Sequence, residues 1–400
     1  MNGFADRTVI VGGGVIGLAT AYFLSRWGLP VTVVERGRAG REASFAAAGM
    51  LAVGCETERP GPFFVLSQSS RALYARWAAA LERQTGVDVE YQASGIVEVA
   101  HDPAEAERLR AQIEWQRAFG LAAEWLSADE LRRRLPALAR SACGAAFYPG
   151  DGQVNNRQLA VALREACLRQ GVDLREETEV IGWLTDSDPR GDRRVRGVVT
   201  SVGEIAARWT VLAAGAWSRL LARQLDIDLP VRPVKGQIVE ARVRAPYAHI
   251  VYAGKVYLVP KPGGRLLIGA TQEEAGFDRR PTLGAASRLL DAAQAAAPAL
   301  EESEWVDTWA GLRPGTPDGW PILGPAPQWQ GLLLATGHFR NGILLAPITG
   351  LITAQRIAGR PLAVNWRPFS LDRFGRAGEG RPHEEDRAAG EPRPGREEPT

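Results

Sequence analysis

Cysteine, histidine and lysine are scarce in this 400-residue chain, and each shortage excludes something. The cysteines Cys55, Cys143 and Cys167 stand far apart with no paired motif. That argues against a disulfide framework or a thiolate metal centre and fits a reducing, cytoplasmic setting. His101, His249, His338 and His383 are scattered too, so no structural metal is expected. Lysine occurs only at Lys235, Lys255 and Lys261, and the basic charge is otherwise arginine. The net charge of +2 is too small to drive binding to nucleic acid or an anionic membrane. The opening residues, MNGFADR, lack the basic start and long apolar core of a secretory signal. The uncharged run Thr8 to Ser25 is not read as a membrane span, because it starts β-rich and carries three closely spaced glycines.

What is present is a complete strand–loop–helix–strand unit. The apolar run Val9 to Val11 meets Gly12-x-Gly14-x-x-Gly17, a helical pattern follows to Gly28 and Pro30, and a second apolar run, Val31 to Val34, ends on Glu35. Gly12 permits the tight turn, Gly14 lets backbone approach a pyrophosphate, and Gly17 lets helix and strand pack closely. The helix start offers unpaired N–H groups and partial positive charge to phosphate. Glu35 is placed to accept from a ribose 2′-hydroxyl. The unit therefore reads as a dinucleotide site.

Further along, Phe63 to Gln84 reads as a long amphipathic helix and Val89 to Val99 as alternating strands turning at Gly95. Trp209 to Ser218 reads as a buried strand ending in a close-approach turn at Gly215. Leu332 to Thr336 is a second buried strand, followed by the loop Gly337 to Gly342 and a helix from Ile343 with Pro347 near its first turn. Dinucleotide-type features thus recur at widely separated places, which predicts a discontinuous cofactor domain of residues 1–85, 145–220 and 305–365. Residues 86–144 and 221–304 are expected to form the substrate domain. From about residue 377 the chain has almost nothing large and apolar, so 377–400 is expected to be a disordered tail.

The glycine loop with Glu35, AAAGML (Ala46 to Leu51), VLAAGAWS (Val211 to Ser218), VKGQ (Val234 to Gln237), AGLRPGTPDGWPILG (Ala310 to Gly324) and GHFRNGILLAP (Gly337 to Pro347) together resemble the FAD-dependent D-amino acid oxidase superfamily. The last two motifs are most similar to its glycine oxidase branch, which serves thiamine thiazole synthesis. The resemblance implies an α/β fold: a glutathione-reductase-type FAD-binding Rossmann domain beside an α+β substrate domain built on an antiparallel sheet. By matched position it implies FAD contacts at Gly12, Gly14, Val15, Ile16, Gly17, Glu35, Arg36, Ala43, Ser44, Ala48, Gly49, Met50, Val180 and Gly215. These contacts continue at His338, Phe339, Arg340, Asn341, Gly342, Ile343 and Leu344. Tyr257, Arg313 and Arg340 match substrate-site positions.

The implied reaction oxidises glycine, sarcosine or small D-amino acids to the imine and 2-oxo acid, with oxygen leaving as hydrogen peroxide. Noncovalent FAD, a small amino acid and oxygen are the implied partners, and the family's oxidases often form tetramers. A quinone-linked D-amino acid dehydrogenase or a sarcosine oxidase is the alternative within the superfamily. Gln272 stands where a methionine is expected near the substrate, which leaves the preferred side chain open.

The chemistry of the candidate residues agrees. A guanidinium holds a carboxylate through two parallel charge-assisted bonds, which suits Arg313 unless it only braces its Gly-Leu-Arg-Pro-Gly turn. Tyr257 offers a third bond or packs as a strand aromatic. The Arg340 carbonyl is placed to accept from the substrate amine. Lys235 is either an oxygen-activating cation or a strand-end lysine. A neutral amine needs no general base, so no catalytic acid or base is assigned.

Overall fold

The computed structural model describes residues 6–138, 141–187, 191–245 and 247–375. The expected tail at 377–400 lies outside them.

The opening strand, Thr8–Val11, is wholly buried, as its β-branched composition dictates. It is central in a six-stranded sheet ordered Ile322–Pro325, Leu332–Thr336, Trp209–Leu212, Thr8–Val11, Val31–Val34, Asp173–Arg175. All its pairings are parallel except the antiparallel edge strand Ile322–Pro325. The helix Val15–Arg26 is apolar almost all round, because it lies between this sheet and the helix Gly342–Ile357. The two helices cross where Gly350 has no side chain; a methyl there would sit 2.7 Å from the Ala19 carbonyl carbon.

Pro347 lies inside the second helix, beyond its first turn. It has no N–H for the Ile343 carbonyl. Tyr74, from the helix Pro62–Thr85, donates its hydroxyl to that carbonyl instead. Ser70 donates to the next carbonyl, Leu344, at 2.6 Å.

An eight-stranded sheet runs Glu304–Gly315, Arg232–Arg242, Arg265–Gly269, Val256–Lys261, Ile250–Ala253, Ile96–Ala100, Gly144–Tyr148, Glu124–Ser127. It is antiparallel as expected, save for the parallel pair Ile250–Ala253 and Ile96–Ala100. The helix Leu283–Ala296 packs on it through Ala286, Leu289 and Ala293. Two strands expected in the cofactor unit, Gly144–Tyr148 and Glu304–Gly315, pair within this sheet. Buried runs read alike in either sheet, so composition did not assign them. Only Ile96–Ala100 is a strand in the stretch read as alternating from Val89. A smaller sheet pairs Val180–Ser187, Arg193–Thr200, Gly203–Ala206 and Trp329–Gln330. Among the described residues no helix is long and apolar enough to cross a membrane.

Candidate functional site

A cavity lies between the two main sheets. Its floor is formed where the parallel strands end, at Gly12, Glu35, Ala213 and Thr336; its roof comes from Gly236, Ile238, Tyr257, Gly311 and Arg313 of the eight-stranded sheet. Carboxyl ends of parallel strands are where open α/β sheets bind ligands.

The three motif glycines do different work. A Cβ on Gly12, whose φ is +108°, would lie 2.5 Å from the Ala213 carbonyl oxygen, and one on Gly17 would lie 2.0 Å from the Gly12 oxygen. Both positions are closed by the protein itself. A Cβ on Gly14 would meet only the Ser44 hydroxyl, at 3.5 Å. Gly14 thus faces an open cradle at the start of a helix with no side-chain cap, as a bound pyrophosphate requires. The Ser44 Oγ accepts from Val15 N–H at 3.0 Å, and Asn156 holds the Ser44 and Phe45 carbonyls at 2.8 and 3.0 Å.

Glu35 is buried and accepts from two backbone N–H groups, Gly13 at 2.8 Å and Gly37 at 2.9 Å. It fixes the glycine loop and still borders the cavity. Arg36 stacks 3.7 Å from the Trp217 ring centroid and is bound to Glu42 at 2.9 Å. Val180 also borders the cavity.

At the other end, Tyr257 and Arg313 each lie across a strand glycine. A methyl on Gly269, the cross-strand partner of Tyr257, would be 2.4 Å from its ring, and one on Gly236 would be 2.1 Å from Arg313 Nη1. Arg313 donates to the Thr271 carbonyl at 3.0 Å. Among the described residues no acidic side chain lies within ion-pair distance of it. Burial raises the Tyr257 phenol above its ordinary pKa, against the opposing charges of Arg313 and Arg340.

Arg340 is already neutralised: its Nη2 meets Glu56 Oε1 at 2.6 Å, and Tyr252 donates to the same oxygen at 2.8 Å. That ion pair raises the Arg340 pKa further. The loop that carries Arg340 is tied down by Phe339 N–H to the Pro314 carbonyl, 3.0 Å. His338 is buried against Thr349 Oγ1 at 3.0 Å, and desolvation pushes it down to about 3, so it is neutral at physiological pH.

Of the sequence-derived positions, Gly12, Gly14, Val15, Ile16, Glu35, Arg36, Ala43, Ser44, Ala48, Gly49, Met50, Val180, Gly215, His338, Phe339, Arg340, Gly342 and Ile343 border this cavity, with Tyr257 and Arg313. Three do not. Gly17 packs helix against loop. The Asn341 N–H closes onto the His338 carbonyl at 2.8 Å and its carbonyl takes Leu345 N–H at 2.8 Å. Leu344 is core. Gln272 is exposed and off the cavity. Lys235 is buried, paired with Glu273 at 3.3 Å, and also off it. Glu56 and Trp217 border the cavity but were not singled out. Trp217 sits inside the VLAAGAWS motif, whereas nothing in sequence marks Glu56.

A glycine loop at a helix start, an acid closing the next strand and a second sheet facing them across the cavity mark a dinucleotide-dependent enzyme. Residues 7–356 match the FAD dependent oxidoreductase family, DAO, and the chain belongs to that family, with FAD as its cofactor. A glycine oxidase from Geobacillus kaustophilus is 40% identical over 367 residues, covering 91% of this chain and 96% of that protein. The crystal structure of a glycine oxidase from that organism superimposes with a TM-score of 0.86, covering 92% of this chain and 98% of that one. A bifunctional ThiO/ThiG protein from Synechocystis is 36% identical over 374 residues, covering 92% of this chain and 54% of that protein.

Proposed function

We propose that this protein carries out FAD-dependent oxidative deamination of glycine and related small amines, sarcosine and small D-amino acids among them. The products are the imine or 2-oxo acid and hydrogen peroxide, and the glycine imine feeds thiamine thiazole synthesis. The single observation that carries the reading is Arg313, a half-buried guanidinium with no acid within ion-pair distance among the described residues, lining the cavity beside Tyr257. The likeness to glycine oxidases and to ThiO/ThiG proteins supports the substrate and pathway.

In this reading Gly14 and the helix start would hold the pyrophosphate of FAD. Ser44, whose oxygen already accepts from Val15, keeps its hydroxyl hydrogen to donate to it. Glu35 takes the ribose, and Arg36, Trp217 and Val180 frame the adenine end. Ala48 to Met50, His338 to Arg340, Gly342 and Ile343 would flank the ring, and among the described residues no cysteine borders the cavity, in line with noncovalent binding. Bound FAD supplies the two-electron acceptor.

Arg313 clamps the substrate carboxylate through two charge-assisted bonds and Tyr257 donates a third, which fixes the Cα–H toward the ring. The Arg340 carbonyl accepts from the amine while its guanidinium stays with Glu56, so the second arginine adds little net charge. His338 is neutral and takes no proton. The working division is a cofactor unit built on the six-stranded sheet and a substrate unit built on the eight-stranded one, in a soluble cytoplasmic homotetramer.

The test is anaerobic mixing with glycine, sarcosine, D-alanine and D-proline. Bleaching of the flavin by glycine, then peroxide on admitting air, is expected. No bleaching by any of them sinks the reading; bleaching with slow reoxidation favours a dehydrogenase passing electrons to quinone.

A further inference from the structure

Lys261 ends the strand Val256–Lys261 and is buried. Its Nζ donates to the Val154 carbonyl at 3.0 Å. Val154 N–H in turn donates to the Gly49 carbonyl at 2.8 Å, and a methyl on Gly49 would lie 3.2 Å from Nζ. Gly49 borders the cavity and Lys261 does not, so the ammonium stands one layer of backbone behind the wall. Among the described residues no carboxylate lies within ion-pair distance of it. A buried cation without a partner is costly, and a methionine would fill the space without that cost.

The charges around it come from three directions. Glu90, in the loop before Ile96–Ala100, is engaged by Asn155 at 3.0 Å; Arg265, across the hairpin, is held by Glu240 at 2.5 Å; Arg157 lies on the helix Asn156–Arg169. Desolvation, with those two arginines against Glu90, pushes Lys261 down to about 7. The amine is therefore poised between its two forms near neutrality.

We propose that Lys261 is a positioning residue for electron transfer, a proton acceptor coupled through the Gly49 wall to the redox state of the bound FAD. Two electrons and one proton convert FAD to an anionic reduced ring. The new negative charge raises the proton affinity of Lys261, whose amine takes a second proton from solvent. The pair then gains equal numbers of electrons and protons, with no net charge left in the interior. The inference needs bound FAD but not the substrate assignment, since any reductant suffices.

The holoenzyme is reduced with dithionite and mediator dyes from about pH 6 to about pH 9, and the protons taken up per electron pair are read from the slope of potential against pH. Wild type is expected to take up about two just above neutrality, and Lys261→Met and Lys261→Arg about one, because arginine keeps its charge throughout. Uptake of one by wild type, or of two by either variant, overturns the proposal. Should Lys261→Met fail to hold FAD, Lys261→Arg and wild type still decide it. Failure to oxidise any amine leaves this result untouched.

Discussion

Gly236 touches no substrate in the proposed reading, yet its replacement by alanine should cripple the enzyme. The methyl would stand 2.1 Å from Arg313 Nη1 and 2.4 Å from both Cζ and Nη2. Carbon contacts need about 3.5 Å, so the guanidinium must retreat by about 1.4 Å. The Gly236 backbone lies outside the left-handed region, and what must yield is the far end of a flexible side chain. Stability should therefore fall by less than about 1 kcal/mol, as surface-like adjustments do. A 1 Å misplacement of a positioning group costs on the order of 100-fold, or about 2.7 kcal/mol of barrier.

The assay is anaerobic stopped-flow reduction of the bound FAD by glycine, with thermal unfolding as the control. The methyl also borders the cavity, so a double-mutant cycle separates displacement of Arg313 from direct intrusion. If the effect passes through Arg313, Gly236→Ala adds little to Arg313→Ala. Undiminished reduction in Gly236→Ala, or losses that multiply fully in the double variant, would refute the reasoning.

Three further outcomes are expected. Gly14→Ala should leave the apoprotein's urea midpoint nearly unchanged while FAD affinity by fluorescence titration drops at least ~10-fold; Gly17→Ala, whose methyl would strike the Gly12 oxygen, should cost about 1–3 kcal/mol of stability. Lys261 falls from 10.5 to about 7 on folding, so the unfolded chain binds the extra proton between those values and stability should rise with pH across that window, by at most about 1.4 kcal/mol per unit. Urea unfolding at stepped pH should show that rise in wild type and not in Lys261→Met. Glu56→Gln leaves the Arg340 charge uncompensated, so the ratio of kcat/KM for D-aspartate over glycine should climb by roughly 10-fold; an unchanged ratio would exclude Glu56 from substrate selection.

Much of the site was legible because its parts are local. A β-branched run, glycines at fixed spacing and an acid at the next strand end fall within thirty residues, and Gly12 and Gly17 take up in the fold the tight turn and close packing expected of them. What was not legible depends on approach across the chain. Glu56 meets Arg340 from 284 residues away. The strands Gly144–Tyr148 and Glu304–Gly315 join one sheet rather than another through pairing partners that burial pattern does not name. Gly236 lies in the VKGQ motif, but its reason, room for a cross-strand guanidinium, exists only once Val234 is paired with Arg313. The sequence places Pro347 near a helix's first turn; the structure places it beyond that turn, and the Ile343 carbonyl it leaves unpaired takes the Tyr74 hydroxyl.

The cavity wall is assembled from stretches as distant as Val11 and Ile343, with the opening strand at the sheet's centre awaiting neighbours translated much later. A nascent chain holds its glycine loop and Glu35 early, but the cavity proposed to seat the flavin lacks a wall until the loop at His338 has left the ribosome. Cofactor capture must then be among the last events of maturation, and any pause or cleavage upstream of that loop yields colourless polypeptide.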